Sequence, residues 1–261
     1  MRAILLASIL FSLLASAQEP LYQQTVVDTG DLRPGDVVVP IGMSNWNQIS
    51  EQVSFPSIQW VNAAAGGLTV SEWATGKQTS RSGKKLWSAV PSNASIIWVN
   101  PVNRANTDLD TYVSATTNDT YQVLDYIAAN YNVREVWITG LHGEPFAPLT
   151  SKQPNAYAYA SGLIAEDVSN NANYPFKVIH AAYIYAETTP RGDGLFWSLS
   201  DFGRDKLHLS STGNKKAAGL LEEYMTNAIG GSPDPDPDPE VCPIPKWATE
   251  CRLRNGQCKC R

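Results

Sequence analysis

Residues 36–41 read Asp36-Val37-Val38-Val39-Pro40-Ile41, an almost unbroken apolar run. A strand with one wet face would alternate apolar and polar residues, whereas a run that is apolar at nearly every position is typical of a strand covered on both faces. The next residues, Gly42-Met43-Ser44-Asn45, are small or polar and end the strand abruptly. We therefore expect a buried central strand that delivers a short polar segment to one edge of a sheet.

Four more runs of the same kind follow along the chain. They are residues 58–61, 95–99, 135–139 and 176–179. Between them, residues 109–131, 157–168 and 215–229 repeat apolar side chains every three or four positions, which predicts helices. Strands that alternate with helices indicate an α/β fold with a parallel sheet and helices on both faces. Ligands of such sheets bind at the carboxyl ends of the strands.

The amino terminus predicts a secretory signal peptide over residues 1–17. Arg2 is followed by an apolar run over residues 3–15 and by a small-x-small site, Ala15-Ser16-Ala17. The run is too short to span a membrane, which takes about 20 residues. The alternative, a buried first helix, lacks an amphipathic pattern. We expect a secreted, extracellular protein whose main domain occupies residues 18–231.

The carboxyl terminus has a different composition. Residues 232–240 repeat Asp-Pro, which favours a stiff, extended linker. Residues 241–261 hold all four cysteines of the chain: Cys242, Cys251, Cys258 and Cys260. In an exported chain these predict two disulfides that staple a small tail, with three pairings open, and a zinc site is the weaker alternative. Basic residues around Trp247 indicate either an anchor to a polysaccharide surface or a stabilising or processing tail.

Charge and composition exclude several kinds of partner. The net charge is −5, which argues against nucleic acid and against an anionic membrane. The 8 Trp and 11 Tyr favour sugar stacking, although aromatic residues also build cores. Three scattered histidines without an H-x-x-x-H pattern predict no metal, and we expect no cofactor. The sequons at Asn93 and Asn118 predict glycosylation if the host is eukaryotic.

The strongest chemical motif lies near the end of the main domain, where Asp205 precedes His208 by three residues. A carboxylate at that spacing can accept the imidazole Nδ1–H, fix the tautomer and stabilise the imidazolium. A histidine held in this way is a general base in need of a nucleophile. Ser44, just past the first strand, stands where a parallel sheet places its site. A polar loop is the alternative interpretation of each motif alone.

Two further strand ends offer hydrogen-bond donors for an oxyanion. The second strand is followed by residues 62–67, which end in Gly66-Gly67, and a glycine N–H is a good donor. The third strand is followed by Asn100 and Asn103, whose amides can donate as well. Ordinary turn chemistry explains these residues equally well when each is taken alone.

Taken together, these segments resemble the four blocks of the SGNH (GDSL-type) hydrolase superfamily over residues 33–229. The most specific block is the D-x-x-H-x-S-x-x-G that begins at Asp205. The first block is Gly-Met-Ser-Asn instead of Gly-Asp-Ser, and is closest to the Gly-Gln-Ser-Asn of the sialate O-acetylesterase and acetylxylan esterase branch. The resemblance implies a three-layer α/β/α sandwich of about five parallel strands, the flavodoxin-like SGNH fold.

The resemblance also assigns roles. It implies Ser44 as nucleophile, His208 as base and Asp205 as the residue that orients the base. The oxyanion hole would use the N–H groups of Ser44 and Gly67 and the amide of Asn103, with Asn100 as the alternative. We expect three residues to contact substrate: Asn45, His142 and Arg191. For Arg191, a surface salt bridge is the alternative role.

The sequence therefore predicts a secreted serine esterase that removes acetyl or similar short acyl groups, with carbohydrate as the expected carrier of the ester. Its partners would be an acylated carbohydrate or another small ester. Two alternatives stay open: an esterase for lipids or aryl esters, and a non-catalytic glycan-binding protein built on a hydrolase scaffold.

Overall fold

The fold is built around one parallel sheet of five strands. The computed structural model describes residues 29–104, 108–147 and 154–229, together with the backbone of two short strands near the carboxyl terminus. The main strands are β1 (Val37–Ile41), β2 (Gln59–Trp60), β3 (Ile96–Val99), β4 (Glu135–Ile138) and β5 (Lys177–His180). Their order is β2-β1-β3-β4-β5, and every neighbouring pair is parallel. This confirms the predicted α/β class and the predicted five parallel strands.

Within the described residues, five α-helices accompany the sheet. They are α1 (Ser44–Ser50), α2 (Val70–Ala74), α3 (Leu109–Asn130), α4 (Pro154–Asn171) and α5 (Ser211–Ala228). The three long helices coincide with the predicted ones within a few residues, because each repeats apolar side chains over several turns. The short helices α1 and α2 were not predicted. Each spans fewer than two and a half turns, too few for a period to be visible.

The side chains of the buried strands point alternately into two hydrophobic cores, one on each face of the sheet. In β1, Val37 and Val39 face a core formed with α2, α3 and α4, whereas Val38 faces a core formed with α1 and α5. The second core holds a chain of edge-to-face rings in which Trp98 contacts Trp46, Trp60 and Trp137 at centroid distances of 5.7, 6.1 and 4.9 Å. Helices thus cover both faces of the sheet, as the period-2 geometry of strands requires.

The strand order creates a crevice at the carboxyl edge of the sheet. The chain leaves β1 toward β2 on one side and later enters β3 on the other, so the loops after β1 and β3 diverge. Such a switch point is where parallel sheets bind ligands. Ser44 follows β1 at this point, and Asn100 N–H donates to Ile41 O at 3.0 Å beside it.

The terminal regions contribute little to the described structure. The strands β6 (Cys251–Arg254) and β7 (Gln257–Cys260) pair antiparallel, with Cys251 opposite Cys260 in register. The predicted disulfides involve cysteine side chains that lie outside the described residues, as do the predicted signal peptide and the Asp-Pro linker. Among the helices described, none is both long and apolar enough to cross a membrane.

Candidate active site

Ser44 stands at the carboxyl edge of the sheet because the chain turns sharply after β1. Gly42 makes the turn where a side chain would not fit: a Cβ there would lie 2.8 Å from Asn100 Cβ and 2.9 Å from Trp46 Cδ1. Ser44 is the first residue of α1, and the buried side chains of Trp46 and Ile49 fasten that helix to the sheet. The serine is therefore half-buried, with its position set by the core beneath it.

The structure brings Ser44, His208 and Asp205 into one hydrogen-bonded line. Ser44 Oγ lies 3.1 Å from His208 Nε2, and His208 Nδ1 lies 2.6 Å from Asp205 Oδ2. A carboxylate only accepts hydrogen bonds, so the proton of the neutral ring sits on Nδ1 and leaves Nε2 as the acceptor. Nε2 then faces the serine hydroxyl as a base.

The carboxylate of Asp205 is held in its charged form. Burial opposes its ionisation, but hydrogen bonds from the His208 ring and from the N–H groups of His208 and Leu207 outweigh burial and lower the pKa of Asp205. The two N–H groups donate to Asp205 Oδ1 at 3.0 and 3.1 Å. A charge fixed at this point stabilises an imidazolium on His208. Both side chains remain open to water, at 49% and 40% exposure.

The loop that carries Asp205 and His208 is pinned at both ends. Gly203 N–H donates to His208 O at 2.8 Å, and Ser210 N–H donates to Asp201 O at 2.8 Å. Between them, Lys206 adopts a left-handed backbone with φ of 57°, which is uncommon for a residue other than glycine. This turn lets the chain fold back within three residues, so that the Asp205 carboxylate meets the His208 ring.

His142 lies beneath this loop and not in the pocket wall where we expected it. Its side chain is 0% exposed, its ring packs at centroid distances of 5.9 Å from both Trp197 and Phe202, and its Nε2 lies 3.3 Å from Leu207 O. Burial lowers the pKa of His142 to about 4, against the opposing effect of the Leu207 carbonyl. The neutral ring therefore donates Nε2–H to Leu207 O and supports the loop from below.

Glu144 is a buried acid beside the same loop that the sequence analysis did not single out. Burial, with a smaller contribution from the charge of Asp205, raises the pKa of Glu144 to about 8. Its N–H donates to Asn155 Oδ1 at 2.7 Å, and Asn155 Nδ2 donates in turn to Glu187 Oε1 at 2.6 Å. At neutral pH its carboxyl group is mostly protonated, so it adds little charge next to Asp205. Its place in the loop that follows β4 was the available signal.

The two asparagines considered for the oxyanion hole are both engaged elsewhere. Asn103 Nδ2 donates to Asp119 Oδ2 at 2.8 Å and to Thr116 Oγ1 at 3.3 Å, which uses both of its hydrogens. Asn100 is buried and its Nδ2 donates to Thr139 O at 2.9 Å. In this conformation the Asn103 amide has no hydrogen left for a ligand, whereas the buried Asn100 amide has used one of its two.

The glycines after β2 lie close to the serine. Ala65 N–H donates to Gly42 O at 3.2 Å, which places the loop after β2 beside the end of β1. A Cβ built on Gly66 would lie 3.8 Å from Ser44 Cβ, so Gly66 is in contact range of the serine. Gly67 has a φ of 79°, in the region that favours glycine, and shapes the turn that follows.

Of the two remaining predicted contact residues, Arg191 is engaged by its own loop and Asn45 is buried. Arg191 Nη1 donates to the carbonyls of Tyr183 and Tyr185 at 3.1 and 2.6 Å, and its guanidinium pairs with Asp193. Arg191 thus holds its own loop, in line with the alternative of a salt bridge. Asn45 is buried, and its Oδ1 has no hydrogen-bond partner within the described residues.

The remaining sequence predictions concern glycosylation and metal binding. Asn93 is exposed ahead of β3, and Asn118 is exposed on α3, so both sequons have an accessible acceptor. Over the ranges that the structure describes, no three His, Cys, Asp or Glu side chains are grouped as metal ligands would be.

Comparison with known proteins adds no family. No protein-family profile matches the chain, and no curated protein matches it either. Solved structures with some similarity include the Bordetella bronchiseptica enzyme WbmF, in a crystal structure with NAD+ and UDP, at 8% identity and a TM-score of 0.31. The match covers 60% of this chain and 50% of that chain, so it spans about half of that protein's length. A likeness this weak carries no argument about the chemistry of the present chain.

Proposed function

We propose that this chain is a secreted serine esterase of the SGNH type that hydrolyses O-acyl esters, with acetyl groups on carbohydrate as the preferred substrate. The observation that carries the proposal is the line Ser44–His208–Asp205, with separations of 3.1 and 2.6 Å. The strand order 2-1-3-4-5 is the flavodoxin-like one, which supports the same fold assignment.

The proposed reaction has two halves. In the first, Ser44 Oγ attacks the ester carbonyl while His208 Nε2 takes the hydroxyl proton, and the proton then passes to the departing alcohol. In the second, His208 takes a proton from water as the hydroxide attacks the acyl-serine, the bond between the acyl carbon and Ser44 Oγ breaks, and His208 returns the proton to Ser44 Oγ while the acid departs. The negative charge of Asp205 faces His208 Nδ1 and therefore stabilises the imidazolium in both halves of the reaction.

Backbone N–H groups are the proposed stabilisers of the oxyanion. Ser44 opens α1, and the first N–H groups of a helix have no partner within the helix. Gly66 and Gly67 present a second backbone segment next to the serine. Aimed donors of this kind typically contribute about 10² to 10³ in rate each. This arrangement does not require the amide of Asn103.

Hydrolysis of p-nitrophenyl acetate by the purified protein tests the proposal. We expect Ser44→Ala to reduce kcat by about 10³-fold or more, because the acyl-enzyme can no longer form. Ser57→Ala is the matched control, since Ser57 is exposed at the opposite edge of the sheet, ahead of β2. Equal activity in Ser44→Ala and the wild type would rule out the nucleophile. A falling rate from acetate to octanoate would favour carbohydrate deacylation over lipid hydrolysis.

A non-catalytic glycan-binding protein is the second candidate. It is favoured by one observation: both amide hydrogens of Asn103, the residue that the resemblance assigns to the oxyanion hole, are used by Asp119 and Thr116. Retention on a polysaccharide gel by a protein that hydrolyses no ester, including p-nitrophenyl acetate, would select this candidate over the esterase.

A further inference from the structure

Two cations stand beside the glycine turn next to Ser44. A Cβ built on Gly66 would lie 3.8 Å from Lys84 Nζ and also 3.8 Å from Ser44 Cβ. A Cβ built on Gly67 would lie 3.8 Å from the same Nζ and 3.9 Å from Arg104 Nη2. Lys84 and Arg104 therefore flank the segment that the proposed reaction places closest to the serine.

Lys84 is delivered by a tight, well-bonded turn. Ser80 N–H donates to Lys84 O at 2.8 Å, Lys84 N–H donates to Ser80 Oγ at 3.1 Å, and Gly83 in the same turn has a φ of 79°. Lys84 Nζ also donates to Gly66 O. The ammonium group is thus brought to the glycine turn by a defined backbone conformation.

Arg104 is delivered by the loop after β3. The preceding residue, Asn103, is fixed on three sides: its Nδ2 donates to Asp119 and Thr116, and its Oδ1 accepts from Ser71 N–H at 3.1 Å. Through these hydrogen bonds Asn103 joins the loop after β3 to α2 and α3. The position of the next residue, Arg104, is set in this way.

A polar cleft of about 670 Å³ opens beside Arg104. A volume of that size is typical of small-ligand sites. Its charged lining residues are Lys77, Arg81, Arg104, Glu72 and Asp119. Ser44 and His208 are not part of its lining, and the link to the serine is Arg104, which lines the cleft and lies 3.9 Å from the Cβ position of Gly67.

Both acids of this cleft accept hydrogen bonds from neighbouring groups of the fold, whereas the cations in and beside it have no carboxylate partner within the described residues, and Lys84 Nζ donates to the Gly66 carbonyl. Glu72 Oε2 accepts from Thr69 N–H at 3.2 Å, and Asp119 Oδ2 accepts from Asn103. Within the described ranges, no carboxylate forms an ion pair with the four cations of the region, which are Lys77, Arg81, Lys84 and Arg104. A chain of net charge −5 therefore keeps a local excess of positive charge next to the serine.

We propose that Lys84 and Arg104 bind an anionic group of the substrate, so that the ester is carried by an acidic carbohydrate, one with carboxylate or sulfate groups. The inference rests on the proposed function and narrows it. Arg104 offers a planar pair of donors that matches a carboxylate or a sulfate, and Lys84 offers a point charge. The acyl group would sit at Ser44 while the anionic group lies over Gly66 and Gly67.

The test compares two forms of one polymer: acetylated polygalacturonate and the same material after methyl esterification of its carboxylates. We expect wild-type kcat/KM for acetate release to be at least about 10-fold higher on the charged form. In Lys84→Met and in Arg104→Met the ratio should fall toward one. Lys85→Met is the matched control, because Lys85 is the exposed neighbour of Lys84, and it should keep the wild-type ratio. The preference should also shrink in 0.5 M salt, where the Debye length is about 4 Å.

Hydrolysis of p-nitrophenyl acetate separates the two proposals. Wild-type protein that hydrolyses this ester and both polymers with equal efficiency would overturn the acidic substrate and leave the esterase intact. An equal loss on both polymers in Lys84→Met would also overturn it, because the cation would then act on the reaction itself and not on the anionic group.

Binding gives an answer even if no ester is hydrolysed. Ser44→Ala protein should be retarded in gels that contain polygalacturonate or dextran sulfate and should migrate freely in gels with neutral dextran. The stronger of the two retardations identifies carboxylate or sulfate as the group. Equal migration in all three gels, or retardation that survives Lys84→Met together with Arg104→Met, would overturn the proposal.

Discussion

At the scale of single residues, the charge of Asp205 is the feature of the site that is easiest to remove without changing its shape. Asp205→Asn keeps the acceptor for the N–H groups of Leu207 and His208 but can present an amide hydrogen to His208 Nδ1. The ring proton would then move to Nε2, where it blocks proton transfer from Ser44. We expect kcat for p-nitrophenyl acetate to fall by about 10³- to 10⁴-fold.

The control for this substitution is Asp110→Asn, an exposed acid in the first turn of α3 that should leave kcat unchanged. A loss of less than 10-fold in Asp205→Asn would contradict the orienting role of the carboxylate. Circular dichroism of both variants should match the wild type, because the substitutions are isosteric.

The sequence allowed the prediction of Ser44, His208 and Asp205, but not of the side chains that support them. Asp205 and His208 are three positions apart, so their contact is local and visible in the sequence. His142 also follows a strand end, but its ring turns inward to Leu207 O, and only the packing of Trp197 and Phe202 decides that direction. The engagement of Asn103 has the same cause, because Asp119 and Thr116 come from a helix whose placement the sequence does not reveal.

At the scale of elements, the end of β4 and the middle of α4 are in close backbone contact. A Cβ built on Gly140 would lie 2.6 Å from Gly162 N and 2.7 Å from Gly162 Cα, so the helix backbone rests directly on the strand. We expect Gly140→Ala to destabilise the protein by about 1–3 kcal/mol, because a backbone must move to admit the methyl group. The midpoint of urea unfolding measures this change.

Gly219 provides the matched substitution for that experiment. It is exposed in α5, and nothing lies within 4 Å of its Cβ position. Gly219→Ala should therefore stabilise the protein by up to about 1 kcal/mol through helix propensity alone. Equal midpoints for Gly140→Ala and the wild type would show that the strand and the helix are not in close contact.

Elements with many residues of one period were predictable, and short ones were not. The strand over residues 37–41 and the helix over residues 109–130 show their apolar pattern directly. Helix α2 has five residues, and its main signal is the capping box between Thr69 and Glu72. That motif predicts where the helix begins but not which of its faces packs against the rest of the fold. The contact of Ser71 with Asn103 therefore could not be predicted.

At the scale of the whole molecule, the site depends on the order of the strands. Ser44 and His208 are 164 positions apart, and they meet because β1 lies inside the sheet, between β2 and β3, and α5 covers the face that α1 also covers. Alternating strands and helices predict a parallel sheet but not which strands are neighbours. The structure shows the order β2-β1-β3-β4-β5, which allows this contact.

The pH dependence of unfolding reports on Glu144, the buried acid beside the loop that carries Asp205 and His208. Glu144 has a folded-state pKa near 8, raised by burial and by Asp205, against an ordinary value of 4.5. Its protonated form is therefore favoured by folding, and the stability it contributes is complete below pH 4.5 and is lost as the pH rises through 8. His142 acts in the opposite sense, but only between its folded pKa of about 4 and its ordinary value of 6.5.

Above pH 6.5 the change in stability with pH that Glu144 causes is therefore no longer offset by His142. We expect the wild type to lose about 1 kcal/mol of unfolding free energy per pH unit between pH 6.5 and 8 relative to Glu144→Gln, which cannot ionise. Urea unfolding at four pH values in this range measures the difference, with Glu51→Gln, an exposed acid at the end of α1, as the control. Parallel pH profiles for the wild type and Glu144→Gln would mean that the Glu144 carboxyl is ionised in the folded protein, and its negative charge would then lie beside Asp205 at neutral pH.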